Sequence, residues 1–117
     1  MIHEEKKVAK IVEELTMYFF AVGADTMESG IHREGSQVTV TFRANYLPEY
    51  RNKLNNLEEY LTEPHNSGVE DIYWELAGSG DPGETSQLLL IGMMIDRAEI
   101  RFDGDFVDLK LYKELLS

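Results

Sequence analysis

The feature that most limits what this chain can fold into is the apolar run from Leu88 to Ile95, interrupted only by Gly92. It is too short to span a bilayer as a helix. It has no polar side, so as a helix it must be buried on several sides. Asp96 closes the run. The segment Arg97-Ala98-Glu99-Ile100-Arg101-Phe102 then alternates charged and apolar residues, the period of a half-buried strand. A turn at Asp103-Gly104 and a second strand from Asp105 to Tyr112 complete a hairpin. With Asp103 and Gly104 as the two turn residues, Ile100 faces Val107 and Ala98 faces Leu109. On the outer face Glu99 then lies opposite Asp108, a like-charge pair offset by Arg97 and Lys110 on the diagonals. Phe106 and Tyr112 fall on that outer face and are candidates for a partner surface.

Upstream, residues 2–24 read as one long helix with Val8, Ile11, Val12, Leu15, Tyr18, Phe19 and Val22 at helical spacing. Its first half carries a charged face. Its second half, Met17 to Val22, is apolar all round, so it is either buried on several sides or covered by a partner, and Met17 and Phe20 are a second candidate partner surface. Gly23 begins the exit. Met27 to Ala44 reads as a hairpin turning at Glu34-Gly35, with Ile31 opposite Val38 and Met27 opposite Phe42, both pairs on the buried face. Residues 48–62 read as a helix whose stripe is Leu47, Tyr50, Leu54, Leu57 and Leu61. A short helix over 69–77 carries Tyr73 and Trp74, residues 78–83 form a glycine-rich connector, and Ser86–Ile95 is the buried helix. Helix, hairpin, helix, short helix, helix, hairpin predicts an α+β two-layer sandwich. Its helices cover one face of a mostly antiparallel four-stranded sheet, in a single domain over residues 1–117.

Charge and composition narrow the function classes. The net charge is −11. Residues 45–84 contribute nine acids against Arg51 and Lys53. A phosphate backbone is repelled by such a surface, so nucleic acid is not expected as a partner. No run of 18 apolar residues occurs, so no membrane span is expected. The absence of cysteine removes disulfides and thiolate metal sites, and the cytoplasm is the simplest location. His3, His32 and His65 lack ligand spacing, so no zinc site or other metal is expected.

The segment from Ser86 through the hairpin turn at Gly104, together with Ile11 to Met17 and the strand Val38-Thr39-Val40, resembles the histidine-kinase-like ATPase fold (the GHKL or Bergerat fold). The nearest shape is its anti-sigma-factor serine kinase branch. That family carries a catalytic acid on its first helix and, four residues on, an asparagine that holds magnesium. Here the matching pairs are Glu13 with Met17, or Glu14 with Tyr18, and neither second member ligates a hard cation. Glu13 is the candidate base. Where the family reads adenine with an Asp-x-Gly-x-Gly box, this chain has Arg43-Ala44-Asn45-Tyr46-Leu47-Pro48. Gly78, Gly80 and Gly83 form a G-x-G-x-x-G before a helix and are the candidate phosphate turn. Asp81 and Glu84 flank it, and no Lys or Arg occurs between Lys53 and Arg97.

The resemblance therefore implies a nucleotide-binding scaffold stripped of its magnesium and adenine ligands, without a cofactor. The expected function is a non-catalytic regulatory or protein-binding module. The family branch also uses its first helix in dimer formation, which implies a homodimer or another protein as partner. The alternatives are an ATP-dependent serine kinase with unusual boxes, or an unrelated small α+β protein whose layer order coincides.

Overall fold

The structure is a computed structural model and describes residues 4–55, 57, 61, 88 and 91–115. Helix α1 (Glu4–Ala21) is followed by strands β1 (Met27–Glu34) and β2 (Gln37–Asn45). A 3-10 turn (Pro48–Tyr50) leads into α2 (Arg51–Leu54), and residues 57, 61, 88 and 91–94 are also helical. Strands β3 (Arg97–Asp103) and β4 (Phe106–Glu114) end the described chain. The four strands form one antiparallel sheet in the order β1-β2-β4-β3, so the hairpins lie side by side with β2 and β4 at the centre. Helices pack on this sheet, and the fold is α+β as the sequence predicts. The expected helix over 69–77, with Tyr73 and Trp74, lies outside the described residues.

The core forms where the two periodicities meet. Helix α1 turns Val8, Ile11, Leu15, Tyr18, Phe19 and Val22 inward. Strands β2 and β4 answer with Val38, Val40, Phe42 and Ala44, and with Val107, Leu109 and Leu111. The Phe19 ring stacks on Phe42 at 5.5 Å, and Tyr18 meets Phe19 edge-on at 5.3 Å. Leu54, Leu57, Leu61, Leu88, Ile91 and Met94 join the same core. The described residues of the apolar run, Leu88 and residues 91–95, are thus buried, as its lack of a polar side requires.

Glycine shapes the end of α1. Gly23 has φ +86°, the Gly23 amide donates to the Phe20 carbonyl at 3.1 Å, and the Ala24 amide donates to the Phe19 carbonyl at 2.9 Å. This is a Schellman termination, with Ala24 and Phe19 both buried beside it.

Both hairpins differ from expectation in the same way. The turns are Gly35-Ser36 and Gly104-Asp105, one residue later than predicted. Each glycine has φ +62°, and no other residue type takes positive φ among the described residues. A turn centred on Glu34-Gly35 or Asp103-Gly104 would be type I′ and would force Glu34 or Asp103 to positive φ. Placing glycine first gives a II′ turn, in which it alone bears that demand. The pairing moves by two residues, so the buried faces are kept while the partners change. Ile31 pairs with Val40, Met27 with Ala44, Ile100 with Leu109 and Ala98 with Leu111. The expected Glu99–Asp108 pair is replaced by Glu99–Lys110 and Arg101–Asp108, both of opposite charge.

Two residues expected in the core are exposed. Ile31 is on the helix side of the sheet but 57% exposed, because α1 lies over β2 and does not cover the middle of β1. Leu47 is 43% exposed, and it rests against the Gly23 backbone outside the α2 stripe.

Candidate functional site

The sequence-predicted site residues separate onto three parts of the molecule. Glu13 lies on the solvent side of α1, close to Lys10 Nζ at 3.6 Å. The same ammonium makes a tighter contact with Glu14 Oε1 at 2.8 Å, although Glu14 itself is buried. That hydrogen bond raises the Lys10 pKa above its usual value, against a smaller opposing effect of burial. Both helix acids are therefore engaged by one lysine. Four residues further on stand Met17, exposed, and Tyr18, buried. Gly78, Gly80 and Gly83 lie outside the described residues.

The segment expected at the adenine position is occupied by structural contacts. Arg43 donates to Asp108 at 2.7 Å and to Asp103 at 3.3 Å, and its guanidinium lies 4.4 Å from the Phe106 ring centre. The Asp108 hydrogen bond, more than any other contact, pushes the arginine pKa further up. Asn45 accepts from the Asp25 and Thr26 amides at 2.9 and 3.1 Å and donates to the Asp25 carboxylate at 2.6 Å. The bonds from Asn45 and Thr26 hold that carboxyl below its usual range. Tyr46 is buried, donates to the Gly104 carbonyl at 3.1 Å and meets Phe102 edge-on. The polar side chains of this segment are thus committed to the α1–β1 loop, to the seam between β2 and β4 and to the β3–β4 turn.

Phe106 and Tyr112 are half-buried on the outer face of the sheet, opposite the helices. Each sits in a charged setting. Phe106 is under Arg43, while Tyr112 is under Arg97 at 4.2 Å and donates to Glu99 at 3.2 Å. A shallow hollow of about 380 Å3 opens beside them over Gly30 and Thr41, bordered by Glu28, Arg43, Asp108 and Lys110. Acid and base alternate across this face, with Arg43 held by two aspartates and Arg97 close to Glu99 at 3.5 Å. Such a face does not concentrate positive charge on a phosphate. Among the described residues no group of three or more His, Cys, Asp or Glu side chains is arranged to hold a metal ion. No described helix is long and apolar enough to cross a membrane.

Met17 and Phe20 sit together at the end of α1, on the side away from the sheet. They are 53% and 59% exposed and one helical turn apart. Gly23 follows at the next turn, and Leu47 covers its backbone. The strip Met17–Phe20–Leu47 is an apolar surface at one end of the helix layer. Leu47 was missed as part of it because its place at the head of a helical stripe predicts burial. No protein-family model and no curated protein matches this chain.

Proposed function

We propose that this chain is a non-catalytic regulatory module that binds another protein through the strip formed by Met17, Phe20 and Leu47. The observation that carries the reading is the exposure of Met17 and Phe20 on adjacent turns, beside an exposed Leu47. Methionine and aromatic side chains that are already uncovered gain most from burial at an interface, roughly 25 cal/mol for each Å2 of apolar surface removed from water. On this reading, the resemblance of the sequence to the histidine-kinase-like ATPases implies a nucleotide-binding scaffold that has lost its magnesium and adenine ligands. Glu13 paired to a lysine and Met17 in the magnesium-holding place support a role without catalysis.

Two measurements test this together. Mg-ATP at millimolar concentration should leave the thermal midpoint unchanged, whereas a site filled at 100 times its dissociation constant would add about 2.7 kcal/mol to stability. The variant Met17→Lys with Phe20→Lys should remain folded, since both positions are exposed. It should lose a stoichiometric protein partner that the parent retains from extracts of its source. A rise in midpoint with Mg-ATP restores the kinase alternative, and partner retention by the double variant removes the strip from the reading.

A further inference from the structure

The two edges of the sheet are built differently. Strand β3 carries Arg97, Glu99, Arg101 and Asp103 on its outer side, and its inward residues Ala98, Ile100 and Phe102 pack on the core. Alternating charge on one side and cover on the other is how an edge is kept from pairing. Strand β1 is less protected: it carries Glu28, Arg33 and Glu34, but of its inward residues only Met27 packs on the core and Ile31 stays open. Its sequence, Met27-Glu28-Ser29-Gly30-Ile31-His32-Arg33-Glu34, has no proline or lysine, and it is exposed along most of its length. Its inward side shows Ile31 to solvent and borders an apolar cleft of about 220 Å3 shared with Val8, Ala9, Val38 and Leu115.

The backbone of β1 is also oriented for pairing. The Asn45 amide donates to the Thr26 carbonyl. In an antiparallel ladder the bonded residues alternate, so even-numbered residues of β1 turn their backbone groups to β2. Met27, Ser29, Ile31 and Arg33 therefore direct their N–H and C=O groups away from the sheet.

We infer that β1 is a homodimer interface, where a second copy of the chain pairs with it antiparallel about a two-fold axis at Gly30. Like-facing side chains must meet, which leaves two well-filled registers, centred on Gly30 or on Ile31. The Ile31 register sets Glu28 opposite the partner's Glu34, a repulsion made twice by the symmetry. The Gly30 register sets Glu28 opposite the partner's His32 and Met27 opposite the partner's Arg33. Asp25 and Glu28 lie toward one end of the strand, and His32, Arg33 and Glu34 toward the other; in the Gly30 register Glu34 falls opposite the partner's Thr26, and Arg33 falls diagonal to the partner's Asp25. Met27, Ser29, Ile31 and Arg33 all find bonded partners in this register, giving about eight backbone hydrogen bonds.

The helix layer fits the same axis. Helix α1 lies over β2, so the two α1 helices would be separated by three strand spacings, about 14 Å. A helix with its side chains is about 10 Å across. The gap is one side chain wide, and Ile31 from each copy fills it from below. This interface is distinct from the Met17 strip and does not depend on it.

The chain has no cysteine, so a disulfide probe has no background. Glu28→Cys with His32→Cys in one chain should give a cross-linked dimer under mild oxidation, because the Gly30 register alone places these positions opposite each other. Sedimentation equilibrium should show the unmodified protein dimerising. Ile31→Lys, at an exposed position, should keep the native circular dichroism and raise the dimer dissociation constant at least about tenfold, by setting like charges across the axis. A protein that stays monomeric at millimolar concentration overturns the inference. So does a dimer that ignores Ile31→Lys, or a cysteine pair that fails to cross-link a protein shown to dimerise.

Discussion

Lys113 occupies a place on β4 where alternation calls for an apolar residue. It follows Val107, Leu109 and Leu111 on the inward side and is buried with them. Its ammonium donates to the Met94 carbonyl at 2.8 Å and lies 3.2 Å from Glu4 Oε2. That carboxylate oxygen is itself buried and makes no aligned hydrogen bond, so the lysine charge is what compensates it. One side chain thereby ties the start of α1 and the helical turn at 91–94 to β4. Removing one member of a buried pair leaves the other uncompensated. Lys113→Ala should lower unfolding free energy by about 2 kcal/mol in urea titrations, less than for a fully enclosed pair because Glu4 keeps some contact with water. Lys113→Met combined with Glu4→Gln should recover most of the loss. Additive effects of the two changes would show that the pair is not coupled.

At the scale of elements, the glycines decide more than the apolar pattern does. Gly23 and Gly35 both have positive φ, but a Cβ on Gly35 meets nothing, whereas one on Gly23 comes within 2.5 Å of the Leu47 side chain. Gly35→Ala should cost about 1 kcal/mol, the backbone penalty alone. Gly23→Ala should cost more, about 2 kcal/mol, and Leu47→Ala should erase part of that excess in a double-mutant cycle. Much of this level was legible from sequence. The stripe of α1, the alternation of β2 and β4, and the buried character of the run near Ile91 follow from periodicity alone. The turns were not, because apolar parity survives a shift of two residues. The signal that would have fixed them was charge, since Glu99 opposite Lys110 is favourable and Glu99 opposite Asp108 is not. The exposure of Ile31 was beyond local reading. It depends on β1 being an edge strand, which follows only from the order of all four strands.

For the molecule as a whole, the inner helix near Ile91 and the sheet share one core. Ile91 is fully buried, and an aspartate there would bring a charge among Leu88, Met94 and their neighbours with no partner. Ile91→Asp should abolish the cooperative thermal transition, since the penalty is comparable to the whole stability of a domain this size. A native-like melt for that variant would place the core elsewhere. The candidate site was only partly legible at this scale. Sequence put Met17, Phe20, Phe106 and Tyr112 on view and set the last two on the outer face of the sheet, but nothing in it marked Leu47 as exposed beside the end of α1. The seam between β2 and β4 has one more consequence. Arg43 and Asp108, bonded across it, are 65 positions apart in the chain. A ribosome that has not yet released Phe106 onward holds a first hairpin with α1 against its apolar face but no strand beside the second edge of β2. The sheet cannot close before β4 has emerged, and until then the second edge of β2 is open to any other strand.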